Sequence, residues 1–113
     1  VSENDVIFFK VNDPRGREVI CTVECWDGHI LAQRPFMSGW EDRVIAAISN
    51  PTIGIFQDVD YPNRHVFYRR QNRPRYIKVV VAIMEHEADK VITAFPADSM
   101  KPGEKLIWPQ SKD

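Results

Sequence analysis

The amino-acid sequence predicts one α+β domain over residues 1–113, an antiparallel sheet of about four to six strands packed against one or two helices in the N-terminal half. Three observations carry that expectation. The chain has 113 residues, 43% of them hydrophobic and 27% charged, enough for one core and too short for two. Helical signals stand early, before residue 50, whereas the later chain alternates short β-branched segments with turn residues. One of those segments, 76–84 (YIKVVVAIM), is nearly apolar on both faces and reads as the central strand.

Taken in order, residues 6–11 (VIFFKV) read as a strand, 12–16 (NDPRG) as a turn, and 18–25 as a second strand. In the latter Val19, Cys21, Val23 and Cys25 alternate with Glu18, Ile20, Thr22 and Glu24, so the pair makes a hairpin. Trp26-Asp27-Gly28 breaks the alternation and leads into a short helical turn ended by Pro35. Ser38-Gly39-Trp40-Glu41 matches a capping box, and Trp40, Val44, Ala47 and Ile48 follow at helical spacing until Ser49-Asn50-Pro51 stops the helix. Strands are expected at 52–58, weakened by Gly54, then at 64–70, at 76–84 and at 90–95. In the tail from Pro96, the apolar Leu106-Ile107-Trp108 folds back onto the body, and residues 109–113 are read as lying outside the fold.

Several classes of function are disfavoured at once. The longest apolar run is six residues, 79–84, against the roughly 18 of a membrane span, so no membrane partner is expected. The N-terminal Val-Ser-Glu-Asn-Asp has neither the basic nor the apolar stretch of a secretory leader, and a cytoplasmic location follows as the expectation. The chain begins with Val rather than Met, which leaves room for a longer parent protein. In one strand Cys21 and Cys25 would lie about 13 Å apart on the same face, too far to bridge. They read as free thiols in a reducing compartment. With only His29 nearby in sequence they make a poor zinc site, so neither metal nor cofactor is expected.

Net charge is −1, which argues against indiscriminate nucleic-acid binding by the whole surface. The distribution is uneven, however. The fifteen positions from Arg64 to Lys78 hold six of the fifteen Lys and Arg residues and no acid, while the rest of the chain carries all sixteen carboxylates. Such a block makes a local anion site on an acidic body, or else a solvated hairpin edge protected by its charge. A basic strand pair with embedded tyrosine beside a histidine is also a toolkit for phosphodiester cleavage in RNA. That reaction needs a base for the 2′-hydroxyl, cations for the developing charge, and an acid for the leaving 5′-oxygen. His29, where the chain changes direction, is the acid–base candidate. Tyr68 and Arg70 share a strand face and Arg69 takes the other. Lys78 joins Tyr68 only if paired residue numbers sum to 146, since a one-residue slip would send it to the opposite side. Thr93 is a candidate site hydroxyl. For each there is a plainer role, as surface histidine, snorkelling lysine or β-branched strand filler.

His29-Ile30 with Arg34-Pro35, Glu41-Asp42 on a helix, Asn50-Pro51, Tyr68-Arg69-Arg70, the strand Tyr76-Ile77-Lys78-Val79-Val80-Val81, and Val91-Ile92-Thr93-Ala94-Phe95 form an ordered set. This set resembles the phage and bacterial barnase–EndoU–colicin–RelE nuclease superfamily, the BECR fold, over residues 29–108. The resemblance implies a RelE-like antiparallel sheet on N-terminal helices and a metal-independent ribonuclease site on the open sheet face. It also implies a toxin-like role restrained by an antitoxin or immunity protein. Carried onto this chain, it makes His29, Tyr68, Arg70, Lys78 and Thr93 the catalytic set, with Arg34, Arg69, Arg73 and Arg75 on the RNA substrate. Relatives often carry a second histidine where this chain has Arg34, whose guanidinium supplies charge but shuttles no proton near neutral pH. Two non-catalytic readings stand beside the enzyme: a nucleic-acid-binding module and a protein-interaction module, each using the basic 64–78 hairpin.

Overall fold

Strand β1 (Ile7–Asn12) and strand β2 (Glu18–Thr22) pair antiparallel, as their alternation and the Asp13-Pro14 turn predict. The computed structural model describes residues 6–72 and 75–109. Beyond β2 the chain departs from the sequence reading. The second strand stops at Thr22 rather than running to Cys25, and a continuous helical segment, α1 (residues 23–33), follows. The Thr22 hydroxyl accepts from the Cys25 amide at 3.1 Å, a cap that diverts the backbone out of the sheet. The middle of α1, Trp26–Ile30, is wound as a π-helix with Trp26 and Ile30 buried. Pro35 ends α1 and opens a tight 3₁₀ turn, Pro35–Met37.

Helix α2 (Glu41–Ser49) buries Val44, Ala47 and Ile48 as its spacing predicts. Its start differs from the expected capping box. Trp40 occupies the cap position without a side-chain hydrogen bond, and Glu41, not Ser38, meets a free amide, that of Gly39 at 3.3 Å. The turn at Pro35–Met37 and the left-handed Gly39 (φ +89°) place Glu41 in the first helical position, too early to close the box.

Five strands follow: β3 (Gly54–Gln57), β4 (Arg64–Arg70), β5 (Tyr76–Ala82), β6 (Asp89–Ala97) and β7 (Lys105–Trp108). They complete one seven-stranded sheet in the order β1-β2-β6-β5-β4-β3-β7. The α+β class holds, but the sheet has more strands than the four to six expected, and it is mixed. β2 and β6 run parallel through Val19↔Asp89 and Ile20↔Lys90, because the return to β2 passes through the helices and three intervening strands rather than a hairpin. The seventh strand is the apolar patch of the tail, which folds back as an edge strand beside β3.

The register of β4 on β5 is the one that sums to 146, with Tyr68 opposite Lys78 and Arg70 opposite Tyr76. β5 is the inner strand its sequence predicts, and Val79, Val80 and Val81 are all buried. One sheet face carries the main core, where Phe67, Ile77, Val79 and Val81 meet Trp26 and Ile48 of the helices. The other holds a smaller core of Phe56, Val66, Tyr68 and Val80, against which Met100 packs. No helix among the described residues is long and apolar enough to cross a membrane. Both cysteines are free. The expected separation of 13 Å along one strand does not hold because Cys25 lies on α1, where its thiol donates to the Val91 carbonyl at 3.1 Å.

Candidate active site

Strand pairing settles which side chains share a surface. Tyr68 and Lys78 are partners across β4–β5, Lys78 and Phe95 across β5–β6, and Val80 and Thr93 next along. Directly paired residues point to the same side, so Tyr68, Lys78 and Thr93 lie on the face away from the main core, while Phe95, beside Lys78, also packs against that core. β6 carries an extra residue at Ile92, where the pairing jumps from Val80↔Thr93 to Val81↔Val91. There α1 takes the place β2 would have filled, with Cys25 bonded to the carbonyls of Val91 and Ile92. His29 and Arg34 are thereby brought alongside β6.

Two cations meet at Phe95. The Arg34 guanidinium carbon stands 4.7 Å from the ring centre and the Lys78 ammonium 5.6 Å. Arg34 has no carboxylate partner among the described residues; its one side-chain hydrogen bond goes to Gln33, at 3.4 Å. Lys78 is differently placed. Its side chain is 12% exposed and faces Glu104, itself 1% exposed, at 3.4 Å. The other carboxylate oxygen of Glu104 accepts from the Tyr68 hydroxyl at 2.6 Å, and that hydroxyl accepts from the Lys101 amide. Residues 98–104 thus run across this face as a strap, with Met100 seated on the small core. Burial, and then the bond to Glu104, push the Tyr68 phenol above its ordinary range. The phenol is fully buried and bonded to Glu104 rather than presented to solvent, where the expected catalytic role of Tyr68 would need it.

His29 is half-buried and makes no hydrogen bond or ion pair among the described residues. It lines a hollow of about 420 Å³ with Cys25, Val91 and Ile92. His29 and Thr93 therefore flank successive parts of β6, while Arg34 and Lys78 sit at Phe95. The expected site residues do not all join them. Arg70 lies at the exposed end of β4 and, with Arg69, lines a separate open cleft of about 490 Å³ between α2 and the β4–β5 turn. Arg69 also donates to the Asn50 carbonyl at 2.8 Å, tying β4 to the end of α2. Arg75 is exposed, and Arg73 lies outside the described residues. Among the described residues no cluster of three or more His, Cys, Asp or Glu side chains is arranged to hold a metal ion.

Sequence reasoning missed three participants. Glu104 is a lone acid in a turn of the tail, without any local signal. Phe95 was readable only as part of a strand. Arg43, on the exposed side of α2, lines the same cleft as Arg69 and Arg70, which its helical position alone does not reveal. No protein-family model matches the chain, and no curated protein or solved structure matches it significantly.

Proposed function

We propose that the protein is a metal-independent, toxin-like endoribonuclease of BECR type, acting along the outer part of β6. The convergence of Arg34 and Lys78 on Phe95, from two separate elements and beside Thr93, carries this reading. In the reaction the 2′-oxygen of a ribose attacks the adjacent phosphorus while its proton passes to a base. The P–O5′ bond breaks, the 5′-oxygen takes a proton, and a 2′,3′-cyclic phosphate remains. His29 is the proton carrier, free of any competing partner among the described residues. Arg34 supplies the forked, uncompensated charge for the phosphorane, and the Thr93 hydroxyl lines the site. Lys78, half-neutralised by Glu104, fixes the local field and the Phe95 ring rather than acting as a second free cation.

The test is incubation with single-stranded and structured RNA in the presence of EDTA, followed by analysis of product ends. Cleavage leaving cyclic phosphate is expected, abolished by His29→Ala and slowed about 100-fold or more by Arg34→Ala. A folded protein that retains RNA without cutting it sinks the enzymatic reading. That result favours the non-catalytic binder, for which the arginine-lined cleft at Arg43, Arg69 and Arg70 speaks. Restraint by an acidic antitoxin or immunity protein, and a cytoplasmic setting, belong to the same proposal.

A further inference from the structure

The cleft between α2 and the β4–β5 turn lies apart from the residues assigned to cleavage, yet it is charged in a way that calls for an occupant. Arg43, Arg69 and Arg70 line it, with Asp42 the one carboxylate. Neither Arg43 nor Arg70 has an ion-pair partner among the described residues. Arg69 reaches the cleft from the helix side of β4, where it also holds the Asn50 carbonyl, and Arg70 borders it from the exposed strand end; a cleft so bordered by cations attracts a polyanion.

Aromatic side chains stand directly beside this charge. Arg43 lies over the Trp40 ring at 4.4 Å. Trp40 in turn meets Phe36 edge to face, with centroids 5.5 Å apart and planes at 72°. Phe36 is 57% exposed. The turn Pro35–Met37 that presents Phe36 also carries the chain on from Arg34, so the ring sits two residues from the group assigned to the phosphorane. An open aromatic ring and a cation held against its neighbour thus stand at one side of the cleft that Arg69 and Arg70 also line.

We infer that Phe36, Trp40 and Arg43, with Arg69 and Arg70, bind a single-stranded stretch of the RNA substrate, an unpaired base stacking on Phe36 while its backbone phosphates enter the arginine cleft. The inference rests on the proposed function and narrows it to unpaired RNA. Bases inside a duplex are already stacked on each other and present no face to an aromatic side chain, whereas splayed bases do. Guanidinium groups grip phosphate in a fork, so charge and stacking together select strand over helix.

The experiment uses a short 2′-O-methyl oligonucleotide, whose blocked 2′-oxygen prevents cleavage, labelled for fluorescence anisotropy and compared with the same sequence as a duplex. The single strand is expected to bind at least tenfold more tightly than the duplex. Phe36→Ala should weaken single-strand binding about tenfold and leave duplex binding unchanged. Arg43→Gln should weaken binding of both and lower the salt dependence by close to one phosphate contact. Equal affinity for strand and duplex, or an unchanged single-strand affinity in Phe36→Ala, overturns the inference. Absence of all binding overturns it too and marks the exposed ring as a contact for something other than RNA. Strand-selective binding without cleavage of unmodified RNA leaves the inference standing and removes the nuclease.

Discussion

Replacing Glu104 by Gln isolates the charge of the best-enclosed carboxylate on the outer sheet face while keeping its shape. At the observed 3.4 Å and an effective dielectric near 20, its attraction to the Lys78 ammonium is about 5 kcal/mol. The amide oxygen of Gln still accepts from Tyr68, but a neutral acceptor gives up about 1 kcal/mol of that bond. Against these losses stands the release of a carboxylate from a costly burial, together with the freedom of Lys78 to move its ammonium toward solvent. The net expectation is a loss of about 3 kcal/mol, a large part of the margin of a domain this size. Urea denaturation measures it as a fall in midpoint at constant slope. Lys78→Met in the Glu104→Gln background should recover more than half, since it removes the stranded cation. A loss below about 1 kcal/mol, or strictly additive effects in the double-mutant cycle, would show that the pair is not coupled as its geometry requires.

Three further outcomes follow from other parts of the fold. The His65 Nδ1 accepts from the Arg15 guanidinium at 2.9 Å, and burial, then the positive charges of Arg15 and Arg17, hold the imidazole below the ordinary value of 6.5. The unfolded chain then binds the extra proton more readily, so this contribution is complete above pH 6.5 and declines as pH falls through the folded value. A melting-temperature series from pH 7.5 to 5 should slope less in His65→Gln. Gly54 adopts φ +138°, and a Cβ there would sit 2.6 Å from the Trp108 carbonyl oxygen. Gly54→Ala should therefore lose about 2 kcal/mol or more in urea titration, and an unchanged midpoint would contradict the tight β3–β7 approach. Val80→Asp, introducing an unpaired charge among Phe56, Val66 and Tyr68, should give a protein without native circular dichroism or a cooperative melt.

Much of the sheet was legible because its signals are local. The β4–β5 strands were legible, while their register stayed open by one residue; the structure adopts the pairing that sums to 146 and brings Tyr68 and Lys78 together. The helix at 41–49 announced its buried side by spacing. The start of α1 did not, because Val23 and Cys25 continue the two-residue alternation of β2. What diverts the chain is the Thr22 hydroxyl on the Cys25 amide and the burial of Trp26, which needs partners far along the sequence. The same holds for the parallel contact of β2 with β6 and for β7, which depends on the absence of a side chain at Gly54. Of the residues expected at the site, Arg34 and Lys78 meet at Phe95 and His29 and Thr93 lie along β6, a grouping that residue type and order alone do not specify. The partner that neutralises Lys78 was not recognisable either, since one glutamate among the turn residues of a tail resembles any solvated acid until the strap is seen lying across the sheet.

The strap also makes folding depend on a late segment. A nascent chain released or clipped just short of residue 104 would have every strand from β1 to β6 in hand, yet would be left with an ammonium and a phenol lacking their common counterpart. Phe56, on β3, would also lose β7 as its neighbouring strand. Such a fragment should be prone to degradation and self-association. The segment around Glu104 thus ties the last part of the chain to the β4–β5 pair through a single carboxylate.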